Sequence, residues 1–310
     1  MKEHYNIIEK LINHNYWTNW LGFSRSLLAF SLLITLSLNN KTTLFYTGLQ
    51  NQSFSKFNQI GFNIYSWFSD FNVGIIISII SLIIVISGIY PKYTCLLHWF
   101  VSYSFISTST CSDGGDIVSS IITLLLIPLC LFDDRKWHWQ LTTKKRSFFA
   151  KTIATISYYL ISIQIFVIYF FAAIGKFKIT EWQNGTAIYY WLTHPLFGVN
   201  KFFLSAINLI LLNPILTAFL NWSVLLVELL IAFCLFSTNL KYRKIILIIG
   251  LFFHLCIGIL MGIFSFSITM SSILFLFLIS KNNNYGLPNF NINSSISYFN
   301  NCLSFPTKKN

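Results

Sequence analysis

Apolar runs long enough to cross a membrane recur along this chain, and no other feature limits its folding so strongly. A hydrocarbon core about 30 Å thick takes about 20 apolar residues in helical form, because backbone amides find no water there. Apolar length read with flanking charge predicts spans over residues 20–38, 73–90, 94–110, 117–132, 153–175, 215–236, 245–261 and 264–279. The predicted class is therefore all-α: a polytopic integral membrane helical bundle of about eight spans, with seven as the other count. Gly262 and Ser265 divide the last two spans within one apolar run. The stretch between Lys201 and Pro214 is too short to span and reads as an interfacial or re-entrant helix. Composition agrees, since 55% of the 310 residues are hydrophobic and only 10% are charged, against roughly a quarter charged in soluble domains. Weak period-two alternation gives no support to a β-barrel.

The formal charge of +12 comes from 21 basic and 9 acidic residues. The basic residues sit in short loops between spans, which points to topology and lipid head groups rather than nucleic acid. Arg135, Lys136, Lys144, Lys145, Arg146 and Lys151 follow the fourth span, and Lys241, Arg243 and Lys244 follow the sixth. Both loops are predicted to be cytoplasmic. Counting by whole spans puts both termini inside, in agreement with Lys281, Lys308 and Lys309, and leaves residues 39–72, 111–116 and 176–213 outside. The first 15 residues lack a continuous apolar core followed by a cleavage site, so no removable signal peptide is expected. Residues 1–281 read as one bundle and 282–310, rich in Asn and Ser, as a poorly ordered tail. The six cysteines, Cys95, Cys111, Cys130, Cys234, Cys256 and Cys302, show no C-x-x-C spacing. Most fall in spans as small hydrophobes. Cys111 borders an aqueous loop, where a free thiol and a disulfide to a partner both stay open.

Function is expected where polar groups gather at the end of one span, in YFFAAIGKFKITEWQNGTAIYYWLTHPLFG, residues 169–198. Lys176 and Lys178 follow the fifth span and precede Glu181 and Trp182. Snorkelling lysines beside an interfacial tryptophan are one reading. The other is catalytic: Lys176, the nearer to the apolar helix, is a partly desolvated amine acting as a base, with Glu181, Asp113 and Asp116 setting its protonation. Trp182, Gly185, Tyr189 and Tyr190 are then the expected substrate-binding positions. In CSDGGD, Asp113 and Asp116 read either as a capped turn before the fourth span or as paired carboxylates facing external water. Glu228 and His254 lie at similar depths in the sixth and seventh spans, which predicts a hydrogen-bonded pair, structural before it is a proton relay. Arg25 is expected to meet Asp133 or Asp134 as a structural contact. His98, His138 and His194 show no i, i+4 pairing, and no metal, nucleotide or protease motif appears.

Four stretches resemble a known family: TNWLGFSRSLLAF at the first span, SDGGD before the fourth, DDRKWHW after it, and AAIGKFKITEWQNGTAIYYWLTHPLFG after the fifth. They are similar to the SdpB group of the HTTM family, multi-pass proteins associated with maturation of sporulation-delaying-type peptide toxins. The resemblance covers most of the chain. It implies a place in the bacterial cell membrane and action with a small SdpA-like partner on a secreted toxin precursor. Such proteins also look like the membrane portion of vitamin K-dependent γ-glutamyl carboxylases, whose lysine base precedes a comparable Trp and Gly segment. Ungapped matching through Trp182 puts Phe177 at that base position and Lys176 beside it. The chain also lacks room for the carboxylases' large extracytoplasmic domain, so vitamin K use is not implied and the cofactor stays unknown. The rival readings are a non-catalytic scaffold or immunity protein, a carboxylase-like enzyme, and a transporter, for which Glu228 and His254 are a thin basis.

Overall fold

The computed structural model describes residues 11–45, 61–68, 70–140, 146–195 and 197–279. The predicted tail, Cys302 and Lys144 and Lys145 lie outside these residues. Helices α1 (Asn19–Leu38), α2 (Phe71–Ser87), α3 (Pro91–Thr108), α4 (Gly114–Leu131) and α5 (Phe148–Lys176) fall on the first five apolar runs. A short helix α6 (Lys201–Leu211) precedes α7 (Pro214–Phe233), α8 (Leu240–Met261) and α9 (Phe264–Leu278). The helix starts are local sequence effects. Thr18, Asp113, Ser147, Asn213 and Asn239 each accept a first-turn amide on a side-chain oxygen, and Pro91 and Pro214 sit where no amide donor is needed.

Five helices, α1, α4, α5, α7 with its extension to Phe236, and α8, are long and apolar enough to cross a membrane. The other three predicted spans fall short for visible reasons. Helix α2 has 17 residues, and α3 turns polar Thr94, His98, Ser102 and Ser104 into the protein. Helix α9 has only 15 residues, but its neighbours bury most of them. The chain is thus an all-α polytopic membrane protein.

The polarity is arranged for lipid. Ile76, Ile80 and Ile83 on α2, and Ile248, Phe252 and Leu255 on α8, are exposed at helical spacing, whereas hydroxyls and glycines lie between helices. Ser31 meets Thr269 at 2.7 Å, Ser272 donates to the Ser24 carbonyl at 2.7 Å, and Ser26 donates to that of Ile86 at 3.0 Å. A Cβ on Gly250 or Gly258 of α8 would fall 2.7 Å from Leu274 and 2.9 Å from Ser267 of α9, so α8 and α9 approach closely only because these positions are bare.

The DDRKWHW stretch closes the end of the bundle where α4 stops. Arg135 binds Asp133 through two nitrogens at 2.9 and 2.7 Å and donates to the His138 carbonyl at 2.7 Å. His138 and Lys136 exchange backbone hydrogen bonds with Gly88 and Tyr90 at 2.9 and 2.8 Å. The Trp137 indole donates to the Ser87 carbonyl. The His138 ring lies so close to Gly88 that a Cβ there would be 2.4 Å away, and Gly88 also has φ 83°, so only glycine serves. Burial, with Arg25 and Arg135 nearby, pushes the His138 imidazole down to about 2. Arg25 corrects an expectation. It does not meet Asp133, which Arg135 holds, nor Asp134, which Arg146 holds. Instead its Nη2 donates to Thr94 Oγ1 at 3.2 Å, in a residue only 1% exposed.

Candidate functional site

The site is built where α5 ends. After Lys176 the chain turns through a short helix, Thr180–Gln183, and a tight bend at Asn184 and Gly185 before a second short helix, Ala187–Leu192. Gly185 has φ 78°, and a Cβ on it would sit 3.1 Å from the Ala218 Cβ of α7. The bend therefore lies flat on α7. Asn221, fully buried, fastens it by donating to the Trp182 carbonyl at 3.0 Å, and Trp182, Ala187 and Leu225 form a small apolar cluster there.

This docking sets the Trp182 ring 5.3 Å from the Lys176 ammonium. Lys176 Nζ donates to both carboxylate oxygens of Glu228, at 2.6 and 2.8 Å, and to the Ala172 carbonyl of its own helix at 3.1 Å. All three ammonium protons are thus occupied. Glu228 lies fourteen residues beyond Pro214, about 21 Å along α7 at 1.5 Å per residue. The Lys176 side chain folds back toward Ala172 to reach it. The Lys176 side chain is 21% exposed and that of Glu228 9%, so the pair is largely desolvated and its attraction is weakly screened.

Beside the pair opens a cavity of about 560 Å³, lined by Lys176, Trp182 and Glu228 and otherwise mainly by apolar side chains, among them Ile188, Trp191, Val224, Phe252, Phe253, Cys256 and Leu260. The loop leading to α6 is tied to Leu260 of this lining, with the Asn200 amide on the Leu260 carbonyl at 3.0 Å. Deeper in the bundle, the Tyr169 hydroxyl meets His254 Nε2 at 2.7 Å, and Ser267 donates to the His254 carbonyl at 2.7 Å. Moving one proton along the 2.6 Å contact from Nζ to Oε1 turns the ion pair into a neutral amine and a neutral acid with no change in net charge. Such a pair offers a base and an acid side by side in an apolar space.

The structure brings Lys176, Trp182 and Gly185 together, as the sequence suggests, but with Glu228 as the fourth member. The predicted Glu228–His254 pair is absent: Glu228 takes Lys176 and His254 takes Tyr169. Glu181 is exposed, and its carbonyl accepts from Thr186. Asp113 and Asp116 form a reciprocal capping box on α4, each carboxylate accepting the other's amide at 3.0 Å, with Ser265 donating to Asp113 at 3.4 Å. They are the capped turn of the two readings. Tyr189 and Tyr190 are exposed, and from their helix Ile188, Trp191 and Leu192 line the cavity instead. Sequence reasoning missed Asn221 and Tyr169. A single amide inside the apolar run of α7 and a hydroxyl seven residues, two turns, before Lys176 were the available signals. Among the described residues no three His, Cys, Asp or Glu side chains are grouped as metal ligands would be.

The model of the HTTM domain matches residues 13–281. The chain is 36% identical over 271 residues to the uncharacterized protein YitO of Bacillus subtilis (strain 168), covering 85% of this chain and 86% of YitO. It is 32% identical over 277 residues to the sporulation-delaying protein SdpB of the same organism, covering 86% of this chain and 82% of SdpB. No solved structure matches. A bundle with polar groups turned inward, matched by that model over nearly all its described length, belongs to the HTTM domain family, in its SdpB-type branch.

Proposed function

We propose that this protein is a membrane-embedded maturation factor for a secreted, sporulation-delaying-type peptide toxin. It acts with an SdpA-like partner in the bacterial plasma membrane. The likeness to SdpB supports the toxin system. The observation that carries the site is the Lys176–Glu228 pair beneath Trp182, opening into an apolar cavity. An apolar segment of the precursor fills that cavity, and the pair serves as the acid and base for its conversion. Arg135, Lys136, Arg146, Lys241, Arg243 and Lys244 lie toward the opposite end of the bundle from Lys176, and the positive-inside rule then turns the cavity outward and both termini inward.

The test is co-expression with the SdpA-like partner and the toxin precursor, reading the mass and activity of the secreted peptide. Lys176→Ala and Glu228→Gln are each expected to abolish mature peptide, read per unit of inserted protein. Normal processing by both variants would refute a chemical role. A second reading, a non-catalytic scaffold, draws on the saturated ammonium, since a pair with every donor satisfied is also a good structural contact. The double variant Lys176→Met/Glu228→Leu separates the two. It removes the charge and keeps the volume, and it sustains processing only for a scaffold.

A further inference from the structure

The cavity beside the ion pair is a gap between two membrane-crossing helices. Each wall is a single stripe at helical spacing: Leu220, Val224 and Val227 on α7, and Ile249, Phe253 and Cys256 on α8. None of the six is buried, although the two stripes line one space. The buried faces of these helices point elsewhere, Asn221 and Leu225 to the Trp182 bend and Gly250 and Gly258 to α9. On the side of their connecting loop α7 and α8 touch, since a Cβ on Gly250 would lie 3.2 Å from Ile231. Beyond that point they stand apart. The gap is therefore a wedge, with Glu228, three residues before Ile231, at its narrow end. Its flank is open: Phe252, which lines it, is 67% exposed, and Leu226, next to Val227, is 57% exposed. Both helices are long and apolar enough to cross a membrane, and the two stripes occupy their central parts, so the open flank faces hydrocarbon.

We propose that this wedge takes a membrane-inserted, uncharged peptide helix, which enters sideways from the lipid. The proposal deepens the reading above: it rests on the substrate being a peptide that fills the cavity, and not on the acid–base step. A peptide in hydrocarbon keeps its amides paired only as a helix, because no water is there to replace the bonds. Charge points to the same occupant. Lys176 and Glu228, the ion pair of the lining, neutralise each other, so a charged residue brought against them would be desolvated without a counter-ion, whereas an apolar one loses nothing. Along α8 the wall runs from Ile249 to Leu260, about 16 Å at 1.5 Å per residue, which seats one face of a helix over about three turns. A helix seated there brings one residue against the pair at the narrow end.

The probe is a lysine-capped synthetic helix of about twenty Leu and Ala residues, reconstituted with the full chain in phosphatidylcholine vesicles. The photoreactive residue p-benzoylphenylalanine is placed at Phe253, in the wedge, or at Ile248, 66% exposed on α8 and outside the lining. Each captures whatever lies against it. Position 253 is expected to yield about tenfold more peptide adduct than position 248, and Val224→Trp, which overfills the wall, to cut that yield by about tenfold. Adducts with phospholipid alone at position 253 overturn the proposal, and so do equal peptide yields at the two positions. Capture of a short water-soluble apolar peptide in place of the inserted helix overturns the sideways entry. The two readings fail separately. Capture of the helix by a protein whose Lys176→Ala and Glu228→Gln variants process toxin normally sinks only the acid–base role. Processing that needs the pair, with no helix captured, sinks only the wedge.

Discussion

Removing Glu228 should cost much more than removing the whole ion pair. With a side chain 9% exposed, Glu228 balances an ammonium held at 2.6 and 2.8 Å, and breaking a buried pair on one side costs about 3–5 kcal/mol. Lys176 keeps 21% exposure and an apolar stem that allows partial rehydration, so about 3 kcal/mol is expected for Glu228→Leu. Replacing both partners leaves no uncompensated charge, and Lys176→Met/Glu228→Leu should lie within about 1 kcal/mol of wild type. The implied coupling is about 2 kcal/mol or more, well above the roughly 0.6 kcal/mol average of interhelical hydrogen bonds in membranes. A double-mutant cycle on detergent-solubilised protein, unfolded by a denaturing detergent, measures it directly. Coupling below about 0.5 kcal/mol would show that no such pair stabilises the fold, and the site built on it would fall as well.

Other expectations follow from the same contacts. Gly185→Ala meets both a left-handed φ of 78° and the Ala218 Cβ at 3.1 Å, and should cost about 1–2 kcal/mol; adding Ala218→Gly should recover part of that loss in the same unfolding assay, and no recovery would refute the contact. The folded His138 titrates at about 2 and the unfolded ring near 6.5, so between these values only the unfolded chain binds the proton. Stability from this group is therefore complete above about pH 6.5 and falls as pH drops below it, by up to about 1.4 kcal/mol per pH unit. His138→Asn should flatten that slope in melting curves recorded from pH 7 to 5.

Helix placement was legible because apolar length and capping residues are local properties. All eight predicted spans are helices, with ends displaced by a few residues where a cap such as Ser147 or Asn239 starts the first turn earlier. Counting which of them cross hydrocarbon was less direct, because α3 and α9 take their character from neighbours that cover them. Partner choice was least legible. Depth counting put Glu228 level with His254, but a lysine from the end of α5 reaches back toward Ala172 and takes the carboxylate. The same limit applies to Arg25, whose presumed acceptor is claimed by Arg135 two residues along. Periodicity reports the face a residue occupies; a long flexible side chain then shifts the contact by a full turn.

The wedge formed by residues 136–138 also dictates an order of assembly. Among the described residues, the Ser87 and Gly88 carbonyls and the Tyr90 amide, at the hairpin between α2 and α3, find partners on Trp137, His138 and Lys136, which emerge from the ribosome after all of α4. Until then those hairpin groups lack the partners they have in the folded protein. Release of a nascent chain truncated before residue 133 should therefore yield a substrate for membrane quality-control proteases, whereas one truncated beyond 140 has the means to lock that hairpin shut.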